Sequence, residues 1–149
     1  MIDFDAILEK LEEAEVGKIG ETIHYDTMPI SVKRGVCVRS NISGDDIDYE
    51  IPGLGRGEFR LIARSASYEE GEKLLLKAIK AIAVTKQPVQ FGSMRVRYCR
   101  PTTTPMNFPL SDGNLREFAV KMQICYDYDT SKTPWLDNGE TTENKDEGV

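Results

Sequence analysis

The chain has 149 residues, 40% hydrophobic and 30% charged, with a formal net charge of −6. That mix suits one domain around one core and excludes the basic surplus of a general DNA-binding protein. No apolar run approaches the ~20 residues that span a bilayer, and the acidic start Met1-Ile2-Asp3-Phe4-Asp5 is not a secretory signal; the expectation is a chain that folds in a cytoplasm with no membrane partner.

Phe4, Ile7, Leu8 and Leu11 recur at helical spacing, so the chain opens with an amphipathic helix that Gly17 and Gly20 end. Residues 22–27 and 35–40 follow as strands, separated by Met28-Pro29 and the basic pair Lys33-Arg34. Residues 41–46 read as a polar loop, 47–51 as a short extended piece, and 52–57 as irregular, because Pro52, Gly53, Gly55 and Gly57 interrupt any regular pattern. Residues 58–65 form a strand with Phe59, Leu61 and Ala63 on one side and Arg60, Ile62 and Arg64 on the other.

Ser67 and Glu70 are spaced as a capping box at the start of a second helix. Its buried stripe is Leu74, Leu75, Ala78, Ile79 and Ile82, with Glu72, Lys73, Lys77 and Lys80 in water. Two long strands come last, 87–100 and 116–128. The second alternates without a break from Phe118 through Val120, Met122, Ile124 and Tyr126. Between them, 101–113 carries three prolines and Asp112-Gly113 and reads as a long irregular excursion, a place where loops carry function.

The order helix–strands–helix–strands predicts an α+β domain: an antiparallel or mixed sheet with two helices packed on one face. The domain is expected over 1–129, followed by an acidic, flexible segment over 130–149. From Asp127 onward stand seven acidic residues against Lys132 and Lys145, a net of −5. The remaining 126 residues are therefore near −1. The segment has one apolar spot, Pro134-Trp135-Leu136; it is read either as a solubilising tail or as a piece that orders on a neighbour.

The chemistry-bearing candidates are few. Asp45, Asp46, Asp48 and Glu50 are spaced to meet one hard cation, but lack the glycine and terminal glutamate of an EF-hand loop; the expectation is a solvated acidic loop or partner salt bridges, with no metal and no cofactor. Gly53, Gly55 and Gly57 precede a strand rather than a helix, so they shape backbone, by positive φ or close approach, instead of cradling phosphate. His24 is the single histidine and has no nucleophile at a motif spacing. Cys37, Cys99 and Cys125 fall in strands with no CxxC and are expected to be reduced. Arg60, Arg64, Arg95 and Arg97 recur on strand faces, which suits a solvated face, an inter-protein surface rich in arginine, or the lining of a DNA channel.

The stretch from Ile47 through Asp48-Tyr49-Glu50-Ile51-Pro52-Gly53 and Gly57-Glu58-Phe59 to Arg64 resembles a signature of tail terminator (minor capsid, tail completion) proteins of tailed phages. The Tyr68-Glu69-Glu70-Gly71 helix start is similar to that family too. So are Met94-Arg95-Val96-Arg97-Tyr98, Pro105, Phe108-Pro109, Ser111-Asp112-Gly113-Asn114 and the strand from Arg116. The resemblance covers residues 1–128. It implies a non-enzymatic virion protein, assembled in the bacterial host cytoplasm. Such a subunit forms a hexameric ring that caps the tail tube, ends its polymerisation and offers the head-side connector a joining surface. Genome DNA passes through the lumen of that ring without sequence-specific binding. The interface residues expected on this reading are Glu50, Arg56, Arg60, Arg64, Arg95 and Arg97, since a closed ring needs two different patches per subunit. The rival expectations are another phage neck or tail-tube protein, and a metal-dependent nucleic-acid enzyme built on the acidic cluster.

Overall fold

The computed structural model describes residues 1–110 and 114–133. Helix α1 spans Phe4–Glu13, capped by Asp3, whose side chain accepts from the Ala6 N–H at 3.2 Å. Strand β1 is Ile23–Tyr25, β2 Gly35–Ser40, β3 Asp46–Ile47 and β4 Leu54–Ser65. Helix α2 spans Tyr68–Ile82. Strands β5 (Val89–Phe91), β6 (Met94–Pro101), β7 (Met106–Pro109) and β8 (Arg116–Asp127) complete one sheet, and a 3-10 turn follows at Thr130–Lys132.

The sheet runs β1-β2-β4-β8-β6-β5. Among the described strands only β1 and β2 pair in parallel, so the sheet is mixed. Its spine is the antiparallel pair β4–β8, in register without a break from Leu54↔Asp127 to Ser65↔Arg116. Strand β3 pairs with β4 alongside Gly55 and Arg56, and β7 pairs with β8 from Ala119 to Arg116.

Both helices pack on one face of the sheet. There Ile7, Leu11, Leu74, Leu75, Ala78 and Ile82 meet Val36, Val38, Phe59, Leu61, Val120, Met122, Ile124 and Tyr126. The alternation in β8 predicts this face correctly, since its five large apolar residues all lie in that core. The α+β class and the element order are as the sequence indicates.

Four local expectations differ. Helix α1 ends before Gly17, because Glu15 adopts φ 61° and the Val16 N–H turns back to the Leu11 carbonyl. The 52–57 stretch is not irregular throughout: β4 begins at Leu54 and carries Gly55 and Gly57 inside the sheet. The 87–100 strand is a hairpin, β5 and β6, turning at Gly92 with φ 56°. The 101–113 excursion contains β7; Pro109 stands at the strand's end, where a missing N–H is tolerated.

The opposite face of the sheet is covered at one end only. The segment joining β1 to β2 crosses it, and Met28 and Val32 pack on Cys37, Ile62 and Ala119 as a small second core. The other end of that face is polar.

Candidate assembly surface

Arg64 holds the crossing segment to the sheet. Its guanidinium donates to the carbonyls of Pro29 (2.7 Å), Val32 (3.0 Å) and Met28 (3.4 Å). Its Nε and Nη2 also both donate to one oxygen of Glu117, Oε2, at 3.1 and 3.0 Å. Arg64 is 7% exposed. It shares the outer face of β4 with Arg60, as its position predicts, but it is spent inside the subunit and is not open to a neighbour. Period-two reading fails here because it reports the side of the sheet and not what lies over it.

The other five arginine and glutamate candidates sort by register. Arg56 sits opposite Cys125, and Arg95 opposite Asp127, at the same end of the β4–β8 spine. Arg97 is the extra residue of a bulge between Val96 and Tyr98. The bulge turns it to Asp127, which it meets at 3.0 Å while Arg95 meets the same carboxylate at 3.9 Å. This pairing holds the Arg97 guanidinium above its usual range. Arg56 pairs with Asp48 at 3.1 Å, and Glu50 is exposed in the same loop. Glu50, Arg56, Arg95 and Arg97 are thus brought to one end of the sheet, while Arg60 lies four residues further along β4.

The acidic cluster is used as structure. Asp48 accepts from the Ile51 and Glu50 N–H groups, both at 3.0 Å, as an Asx turn. Those bonds, the Ile51 one first, and the Arg56 pair hold its carboxyl below the usual carboxylate range. Asp45 turns inward, accepting from the Tyr126 hydroxyl at 2.5 Å and from the Ile2 N–H at 3.2 Å. Burial first, then this hydrogen bond, push the Tyr126 phenol up. Among the described residues no three His, Cys, Asp or Glu side chains converge to hold a metal.

The glycines make that arrangement fit. A Cβ on Gly55 would lie 2.6 Å from the Tyr126 ring, and one on Gly57 would overlap the Asp45 carboxylate. Gly53 adopts φ 86° with the Tyr128 carbonyl close by. The close approach comes from this chain's own strands. Among the described residues His24 reaches only the Glu21 carbonyl, at 3.0 Å. The three thiols are free and buried, and burial pushes that of Cys99 up to about 12.

Two corners carry exposed apolar side chains, and the composition gave no sign of them. One is the loop around β3, with Ile47, Tyr49 and Ile51; the other is β7, with Met106 and Phe108. β3 continues the lane of β2 beside Gly55, and β7 continues the lane of β6 beside Phe118. The corners therefore flank the spine on opposite sides and at opposite ends. From Tyr126 to Phe118 is eight residues, about 27 Å of strand. Arg39 and Lys121 were also missed: they flank Arg60 in one row across β2, β4 and β8, which only the register reveals.

A family model described as bacteriophage tail terminator protein matches residues 10–128. No curated protein matches. Among solved structures, a chain from the virion of a native gene transfer agent particle superposes with a TM-score of 0.59 at 11% identity, covering 83% of this chain and 92% of that one. A second chain, 15% identical over 87% of this chain and 97% of its own, reaches 0.41.

Proposed function

This chain belongs to the bacteriophage tail terminator family and is a structural protein of the phage tail, not an enzyme; on that premise we propose that its copies close head to tail into a ring on the last ring of the tail tube. The ring, expected to be hexameric, ends tube polymerisation and presents its other side to the head-side connector. Genome DNA passes through its lumen.

The observation that carries this reading is the diagonal placement of the two apolar corners. A ring needs a heterologous contact between two unlike patches facing in different directions. The first patch is the β3 corner, with Tyr49 and Ile51 beside Glu50, Arg56, Arg95 and Arg97. The second is the β7 corner, with Met106 and Phe108. Exposed apolar side chains ringed by arginine are the usual make-up of an interface centre. Arg60 belongs to the face between the corners, and Arg64 supports that face from within.

Two variants test the geometry. With purified tail-tube protein present, Tyr49→Asp and Phe108→Asp are each expected to abolish tube capping in electron micrographs. Mixed together, they retain one intact pair of patches. Light scattering of the mixture should then give dimers and no rings. Capping that survives both variants removes the proposed interface. Filaments formed by the wild-type chain alone identify a tube subunit instead.

A further inference from the structure

Arg39, Arg60 and Lys121 stand side by side on the open part of the outer face. The register pairs Arg39 with Arg60 and Arg60 with Lys121, so three cations occupy neighbouring positions on three adjacent strands. Like charges directly opposite one another destabilise a sheet. In the next row, Glu58 stands opposite Gln123 and Gln123 opposite Arg100. Lys121 meets Glu58 at 3.5 Å, and the Arg39 Nε donates to the Asp26 carbonyl at 2.9 Å. Arg60 has no ion pair among the described residues. Four cations thus face one carboxylate, on a chain whose net charge is −6.

The row also lines a cavity of about 210 Å³ together with Asn41, Ile42 and Glu58. Its make-up suits side-chain carboxylates arriving on an extended strand.

The chain supplies such carboxylates beyond its last described residue. Residues 134–149 carry Asp137, Glu140, Glu143, Asp146 and Glu147 against Lys145, a net of −4. Residues 1–133 then hold −2 of the total −6. The last described residues lie at the end of the spine where Tyr128 N–H donates to the Gly53 carbonyl. Lys121 is six residues back along β8 from Asp127, about 20 Å. Glu140 and Glu143 follow Thr133 by seven and ten residues, a maximal reach of roughly 25–35 Å. An acidic segment tethered at that distance has an effective concentration in the millimolar range, which favours even weak pairing within one molecule.

We propose that the acidic segment 137–147 of this chain docks on the Arg39–Arg60–Lys121 row of the same molecule and covers the outer sheet face of the free subunit. The pairing is electrostatic and reversible, so a neighbour that engages Arg60 during assembly displaces it. The inference does not depend on ring closure, since it concerns the single subunit.

Zero-length carbodiimide cross-linking of the full chain tests it, because Lys121 is the amine within the row. At low salt, mass spectrometry should find Lys121 joined to a carboxylate between 137 and 147, besides the internal bond to Glu58. In an equal mixture of 15N-labelled and unlabelled protein the joined peptides should carry one label or the other, never both kinds. The double variant Arg39→Gln, Arg60→Gln keeps Lys121, adds no carboxylate beside it and should lower the yield at least about fivefold, as should 0.5 M NaCl, where the screening length is only a few ångströms. An unchanged Lys121–Glu58 bond in the variant shows that the sheet has kept its register. Absence of any bond from Lys121 to 137–147 overturns the proposal. So do bonds that join labelled to unlabelled chains, which assign the segment to a neighbour, and bonds from Lys121 to residues 46–50 of another copy.

Discussion

The two faces of the sheet are built on different terms. The face under α1 and α2 is closed by apolar side chains whose positions follow helical and strand periodicity, and it needs nothing from outside the subunit. The outer face is closed where the segment 26–34 crosses it, and that closure joins a small apolar cluster to polar groups: one arginine, one glutamate and three carbonyls. Beyond that patch the same face carries the Arg39–Arg60–Lys121 row. A fold can be complete on one side and unfinished on the other, and the unfinished side is where an assembly protein is expected to meet its partners.

The sharpest way to break that comparison is at Arg64. Arg64→Met keeps the unbranched apolar stem but removes the guanidinium, leaving Glu117 and three carbonyls without their donor. Removing one partner of a buried ion pair costs about 3–5 kcal/mol, reduced to the extent that Glu117, 23% exposed, rehydrates. Urea unfolding should show a loss of several kcal/mol, and proteolysis should then begin within 26–34. A loss below about 1 kcal/mol would mean that Met28 and Val32 hold the crossing segment by themselves.

The helix face is broken best at a residue with no side chain. Gly71 lies in the first turns of α2, and a Cβ there would stand 2.5 Å from the Phe118 ring, itself edge-on to Tyr68 at 5.2 Å. Alanine is the better helix former by about 1 kcal/mol, but overpacking a tight core costs about 1–3 kcal/mol. Gly71→Ala is expected to lower the melting temperature despite the propensity gain. The paired change Gly71→Ala, Phe118→Leu should recover part of the loss, because it removes the ring that the methyl meets.

Legibility in the sequence followed the same division. Strand β8 alternates because one side is always core, and α2 shows its stripe for the same reason. The acidic and glycine-rich run 45–57 misleads because its residues answer to contacts that periodicity does not report: Asp45 to the distant Tyr126, and, across the fold of the loop, Gly57 to Asp45 and Asp48 to Arg56. The hairpin at Gly92 was hidden because Gln87–Arg100 has apolar residues on both sides of the turn and Gly92-Ser93 is a weak turn signal. Of the candidate surface, Arg95 and Arg97 were singled out as arginines on a strand face and Arg56 by its place in a loop, while Arg39 and Lys121 required the strand register. Trp135 and Asp112-Gly113, singled out in the sequence, lie outside the described residues.

The smallest expected effect lies at the join between helix and sheet. Asp3 caps α1 through Ala6, and its other oxygen accepts from the Ser93 hydroxyl at 2.8 Å and the Ser93 N–H at 3.2 Å. Burial opposes ionisation there, but the Ser93 and Ala6 hydrogen bonds outweigh it and hold the Asp3 carboxyl below its ordinary 3.8. A carboxyl whose pKa is lower in the folded than in the unfolded chain stabilises the fold above the unfolded value. That contribution is lost as pH falls through the folded value. Asp3→Ala should therefore cost about 1 kcal/mol at pH 7, the usual worth of a helix cap. The gap between wild type and variant in urea midpoint should narrow as the pH is taken from 5 to below 3.8. A gap independent of pH would show that Asp3 acts through its shape and not its charge, and that the helix face, unlike the outer one, owes nothing to ionised groups.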